Sequence, residues 1–240
     1  MNRRMAWATV LGALALVAVQ GATRQTMAQD AKTPYPNMAP LDQYLMADRD
    51  AEVALARSAA PESISQDAEV MVLGKNGYES AAKGKNGFVC IVERSWMFAF
   101  DAQEFWNPKV RSPLCFNPPA AHSVLPLTFK RTELVLEGRS KPQIIEAIKA
   151  FDAKELPALE PGSMTYMLSS QEYLTDTFGH WVPHLMFYFP QTDGMTWGAD
   201  APGSPVLLGL QFHGAPEPIS VLVVPVPKWS DGTAAPTGAH

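Results

Sequence analysis

Two histidines four residues apart, in the stretch GHWVPHLMFYFP from Gly179 to Pro190, are the first residues in this chain whose spacing suggests chemistry. On a helix, His180 and His184 would stand one turn apart and clasp a single ion, as paired histidines do in metalloprotease helices. Pro183 lies between them. It lacks the amide hydrogen that a helix interior requires, and it biases Val182 away from helical dihedrals. In a fully extended chain the two alpha carbons would stand about 13 Å apart, beyond the reach of a shared ligand. A turn at Val182-Pro183 is the local geometry that lets the rings converge. Further donors for such a site are His122, His213, Glu93 or the soft sulfurs of Met164, Met167 and Met186. The alternatives for the two imidazoles are a general base, with Glu93 as orienter or acid, or hydrogen-bonded loop and strand-edge histidines of no chemical role.

Other reactive types are sparse. Cys90 and Cys115 are the two cysteines of the chain. In an oxidising compartment they are expected to bridge, and FVCIV surrounds Cys90 with apolar residues that raise rather than lower a thiol pKa. Asp48 and Glu52 stand one turn apart at the edge of an apolar stripe, either as an acid pair or as carboxylates on a partly exposed helix. Glu93 and Arg94 follow an apolar strand and point to opposite faces by its period of two, so each needs its own partner, solvent or a cleft. The sequence holds no nucleophile elbow, no Walker A loop, no GxGxxG and no CxxC.

The elements that must position these residues read as a mixed pattern. Pro40 opens a helical periodicity through Leu41, Tyr44, Ala47, Ala51, Leu55 and Ala59, which Pro61 stops. GKNG occurs at Gly74 and again at Gly84, and Asn-Gly favours tight hairpin turns, so the copies are expected to end successive strands of an antiparallel meander. From Met97 to Pro126 there are five prolines and no sustained periodicity, which predicts a lid, a binding loop or a pocket wall. Leu127 to Leu136 is ambiguous between strand and helix. Ser140 to Gln143 reads as a capping box before a helix with Ile144, Ile145, Ile148 and Phe151 on one side. SMTYMLS, LMFYFP, SPVLLGLQF and ISVLVVPVP read as further strands. The expected fold is α+β, a mostly antiparallel sheet with two or three helices packed on one face, in a single domain.

At the amino end two arginines precede an apolar run from Met5 to Val19, the pattern of a secretory signal peptide spanning residues 1–28. The globular domain is then expected over 29–240, with 29–39 and 231–240 loose. Loss of residues 1–28 removes three arginines and no acid, taking the formal charge from −5 to −8. No basic cluster interleaves with aromatics, which excludes a nucleic-acid footprint, and the acidic balance disfavours adsorption on anionic lipid. After cleavage no stable membrane insertion is expected.

The blocks NGFVCIVERSW, PLCFNPPAA, GSMTYMLSSQEYL and GHWVPHLMFYFP together resemble a family of uncharacterised exported bacterial proteins. The resemblance implies export to the periplasm or beyond and a single domain, and it carries no activity or cofactor. The function expected from the residues is binding of a small ligand or metal in an aromatic and histidine-lined pocket. Trp106, His122, His180, Trp181 and His184 are its candidate walls, between the 97–126 segment and GHWVPH. A hydrolase with a histidine general base and an envelope interaction protein without a small-molecule site are the alternatives.

Overall fold

The computed structural model describes residues 34–152, 154–209, 217 and 219–236; the expected signal segment and His213 lie outside them. One sheet of eight strands organises these residues, in the order β2-β1-β3-β4-β5-β6-β8-β7. The strands are β1 (Glu69–Gly74), β2 (Gly77–Ala82), β3 (Val89–Glu93), β4 (Ser112–Phe116), β5 (Met164–Met167), β6 (His184–Pro190), β7 (Leu207–Leu208) and β8 (Ile219–Pro225). Every neighbouring pair is antiparallel except β1 and β3, which run parallel. The helices are α1 (Arg49–Arg57), α2 (Glu62–Ser65), α3 (Pro118–Ser123), α4 (Leu125–Leu136) and α5 (Lys141–Asp152). No helix among the described residues is long and apolar enough to cross a membrane.

Helices cover both faces of the sheet, where the sequence suggested one. The reason lies in β3 and β4, which are apolar on both sides. Cys90, Val92 and Cys115 pack with Leu55, Ala56 and Ala59 of the α1 region, whereas Ile91, Leu114 and Phe116 pack with Ala120, Val124 and Leu125 of α3 and α4. A strand that is buried on both faces needs a layer on each. Cys90 and Cys115 sit directly opposite each other in the β3–β4 ladder, with alpha carbons 4.0 Å apart and the two sulfurs bonded.

Three local expectations are corrected. The first helix does not run from Pro40: after a short turn at Leu41–Gln43, Asp48 accepts hydrogen bonds from the amides of Asp50 and Ala51 and starts α1 there. An aspartate that competes for free backbone amides caps a helix rather than continuing one. The second GKNG does not extend a meander. Gly74 and Gly77 close a two-residue hairpin between β1 and β2, but the second copy leads β3 across to the far side of β1. Gly84 is needed there because a Cβ would stand 2.3 Å from the Glu69 amide nitrogen.

The third correction concerns 97–126, which holds the central strand β4 and two helices. Its prolines start helices instead of breaking them. Pro118 and Pro119 occupy the first turn of α3 behind the Asn117 cap, and Pro126 lies in the first turn of α4, where a missing amide hydrogen costs nothing. Pro113 is accommodated in β4 because the ladder to β5 begins only at Cys115. Leu127 to Leu136 is thereby resolved as helix.

The described ends are tethered. Tyr35 donates to Asp176, which also accepts from Tyr173 and Lys109, and beyond β8 the backbone amide of Ala235 donates to Pro227.

Candidate functional site

A cavity of about 380 Å³ opens between the α3–α4 face of the sheet, the segment Met97–Ala102 and the loop carrying Leu174, Phe178 and Trp181. Its floor follows from strand alternation. The ladder pairs Glu93 with Ser112, Ile91 with Leu114, and Met167 with His184, so Glu93, Ser112, Leu114, Met167, His184, Met186 and Tyr188 share the face that lines the cavity. Met97, Phe98, Ala99, Asp101 and Ala102 form one wall, and Leu127 and Thr128 of α4 form another. The first stretch of the proline-rich segment is thus the wall that its sequence suggested.

Glu93 is the carboxyl at the floor. The Thr128 hydroxyl donates to its Oε1 at 2.7 Å. Burial pushes its pKa up to about 7, against the pull of that hydrogen bond and of the Arg131 charge. Glu93 is therefore divided between its acid and carboxylate forms near neutrality and can accept or give a proton there.

His184 is 3% exposed, and burial lowers its pKa to about 4, so its ring is neutral at physiological pH. Its Nδ1 lies 2.7 Å from the Val182 carbonyl oxygen. A carbonyl only accepts, so Nδ1 carries the hydrogen. The Trp181 ring packs on it with centroids 4.8 Å apart. Three strand spacings, about 14 Å, separate the backbones of Glu93 and His184, which puts a direct contact between them out of reach.

Trp181 is held by a carboxyl that the sequence did not single out. Its amide donates to Glu172 Oε1 at 2.8 Å, while Glu172 Oε2 is buried with no hydrogen-bond partner among the described residues. Burial pushes the Glu172 pKa up to about 8. Glu172 carried no signal, lying among the turn residues of SSQEYLTDT with no periodicity around it. Tyr188 was legible in principle, because His184, Met186 and Tyr188 alternate along β6 and so share a face.

The five expected wall residues divide. Trp181 and His184 line the cavity together with Glu93. His180 is exposed and meets Trp229 edge to face at 5.5 Å, outside the cavity; no turn forms at Val182-Pro183, and the two imidazoles lie in different surroundings. His122 is exposed at the end of α3 and pairs with Glu160. Trp106 belongs to a second core, edge to face with Phe105 at 4.6 Å, and its carbonyl accepts from the Tyr44 hydroxyl. Among the described residues no group of three histidine, cysteine, aspartate or glutamate side chains converges as a metal site would require.

No protein-family model, no curated protein and no solved structure matches the chain. The arrangement itself describes a largely apolar pocket with aromatic walls and one proton-active carboxyl at its floor, which suits capture of a small molecule better than coordination of an ion.

Proposed function

We propose that this is an exported protein that binds a small, mainly apolar molecule in the cavity over the α3–α4 face of the sheet. The observation that carries the reading is the cavity itself. Its volume of about 380 Å³ lies in the range of ligand pockets, and its walls are Leu114, Phe116, Leu127, Met167 and Val223 with few polar groups among them. A mainly apolar hollow of this size, open to solvent between sheet and helices, has the form of a small-molecule site. The Cys90–Cys115 bridge supports export, because such bonds persist in oxidising compartments. The resemblance to exported bacterial proteins agrees with it.

Titration with octan-1-ol, followed by calorimetry and by tryptophan fluorescence, tests the reading. The expected result is one site per chain, with a fluorescence change that disappears in Trp181→Phe. Failure of the alcohol to saturate, or an unaltered fluorescence change in Trp181→Phe, would overturn it.

A further inference from the structure

We infer that the ligand of this cavity is an apolar amine, whose ammonium group pairs with Glu93 while its hydrocarbon part fills the space under Phe98, Phe178 and Trp181. This rests on the binding reading above and names its chemistry. Three features of the lining select the head group. Glu93 and Asp101 both line the cavity, and among the described residues no lysine or arginine does. An anionic head would therefore meet two carboxyls and no counter-charge. Arg131 is the cation felt by Glu93, but each of its three nitrogens already donates elsewhere: Nε and Nη2 to Glu217, and Nη1 to the carbonyls of Trp96 and Phe98. Finally, Thr128 occupies Oε1 of Glu93, and Oε2 takes no hydrogen bond among the described residues. A carboxylate oxygen left open in an apolar pocket is a partner for a charged donor, and the surrounding ring faces favour a cation further.

Pairing requires Glu93 as carboxylate, so the amine displaces its proton. Thr128 and Arg131 face Glu93 from α4, Asp101 from the covering segment, and His184 and Tyr188 from β6. His184 is already neutral well below pH 6, and burial raises the Tyr188 pKa, so neither changes charge between pH 6 and pH 8.

Three ligands with the same chain and different heads separate the possibilities: octylamine, octan-1-ol and octanoate. Calorimetry at pH 8 is expected to show octylamine binding at least tenfold tighter than the alcohol and at least a hundredfold tighter than octanoate. On lowering the pH from 7 to 6, octylamine affinity falls by up to tenfold while that of the alcohol holds. Glu93→Gln keeps an oxygen for Thr128, so it is expected to remove the preference for the amine and retain the alcohol. Octanoate binding as tightly as the amine, or an unchanged amine-to-alcohol ratio in Glu93→Gln, overturns the inference while leaving the pocket standing. Silence from all three ligands overturns the binding reading as well. Should Glu93→Gln fail to fold, the pH series on the unaltered protein decides.

Discussion

Glu93 and Arg94 are neighbours in the chain that face opposite sides of the same sheet, and the two sides treat their charge differently. On the α1 side Arg94 is fully buried and each of its nitrogens has a partner: Nε donates to the Tyr44 carbonyl at 2.7 Å, Nη2 to Glu52 Oε1 at 2.7 Å, and Nη1 to the Val92 carbonyl. Glu52 in turn accepts from the Leu73 amide. On the α4 side Glu93 has one hydrogen bond and a hollow beside it. A buried charge whose valences are all met holds elements in register, whereas one left partly open in a cavity is available to something that arrives from outside.

The largest expected effect comes from breaking the closed side. Arg94→Met strands Glu52 without its counter-charge inside the core, and it is expected to cost about 3–5 kcal/mol in denaturant unfolding. The double variant Arg94→Met with Glu52→Leu should recover much of that loss, because an apolar pair is often as stable as a buried ion pair. A single-variant cost below about 1 kcal/mol would mean that the ion pair is not what secures this face.

The Cys90–Cys115 bridge sharpens the same contrast, since both side chains point to the α1 side. Closing a sequence separation of 25 residues is worth about 3 kcal/mol in the chain-entropy account. The Cys90→Ala, Cys115→Ala variant should lose about that much in equilibrium unfolding and keep octan-1-ol binding, because neither residue lines the cavity. Loss of binding at full folding would erase the division between a closed and an open face.

The closed face was the less legible one from sequence. The sequence left Glu52 open between an acid pair and a carboxylate on a partly exposed helix, and Arg94 between a partner, solvent and a cleft, because burial of a charge depends on partners that arrive from distant chain segments. Glu52 meets Arg94 across 42 residues. What depends on local alternation was readable: the opposed facing of Glu93 and Arg94, the β1–β2 hairpin, the capping of α5 by Ser140 and Gln143. The proline-rich segment fell between. Its wall at Met97–Ala102 was legible, whereas β4 was hidden among residues that look like breakers until Asn117 is seen to cap a helix behind them. Of the site, Trp181, His184 and Glu93 were anticipated and Tyr188 could have been read from alternation along β6, but Thr128 and Glu172 become visible only when the elements are assembled.

Glu172 gives the open side a pH signature. Its folded pKa is raised to about 8 from 4.5. Between those values the native chain holds a proton that the unfolded chain has released, so stability falls as pH rises through that window. His184 works in the opposite sense, because its folded pKa is lowered to about 4 from 6.5 and the unfolded chain binds the extra proton. Most of its contribution is in place by pH 6.5, where the unfolded ring is half protonated, and the small remainder arrives by about pH 7.5. From pH 6.5 to 8 the Glu172 effect therefore stands with most of the Glu93 titration, centred near pH 7, beside it in the same sense. Unfolding free energy should drop by about 2 kcal/mol over that interval. Glu172→Gln, which can still accept from the Trp181 amide, should flatten the profile. A profile equally steep in the variant would assign the loss to another group.

Filling the open side is the smallest expected change in stability and the sharpest test of what the hollow is for. Leu114 lies on the cavity floor, opposite Ile91 in the ladder and two residues along the strand from the partner of Glu93. In a close-packed core Leu114→Trp would force strained rotamers and cost about 1–3 kcal/mol. Here the indole has space to enter, so the cost should be about 1 kcal/mol or less, with apolar area gained against Phe116 and Leu127 offsetting the strain. Octan-1-ol binding should be lost in the same variant, as measured by calorimetry. A stable Leu114→Trp protein that still binds the alcohol would place the ligand elsewhere. A strongly destabilised one would show the α4 side to be as tightly filled as the α1 side, and the contrast between the two neighbours Glu93 and Arg94 would then concern hydrogen bonding alone.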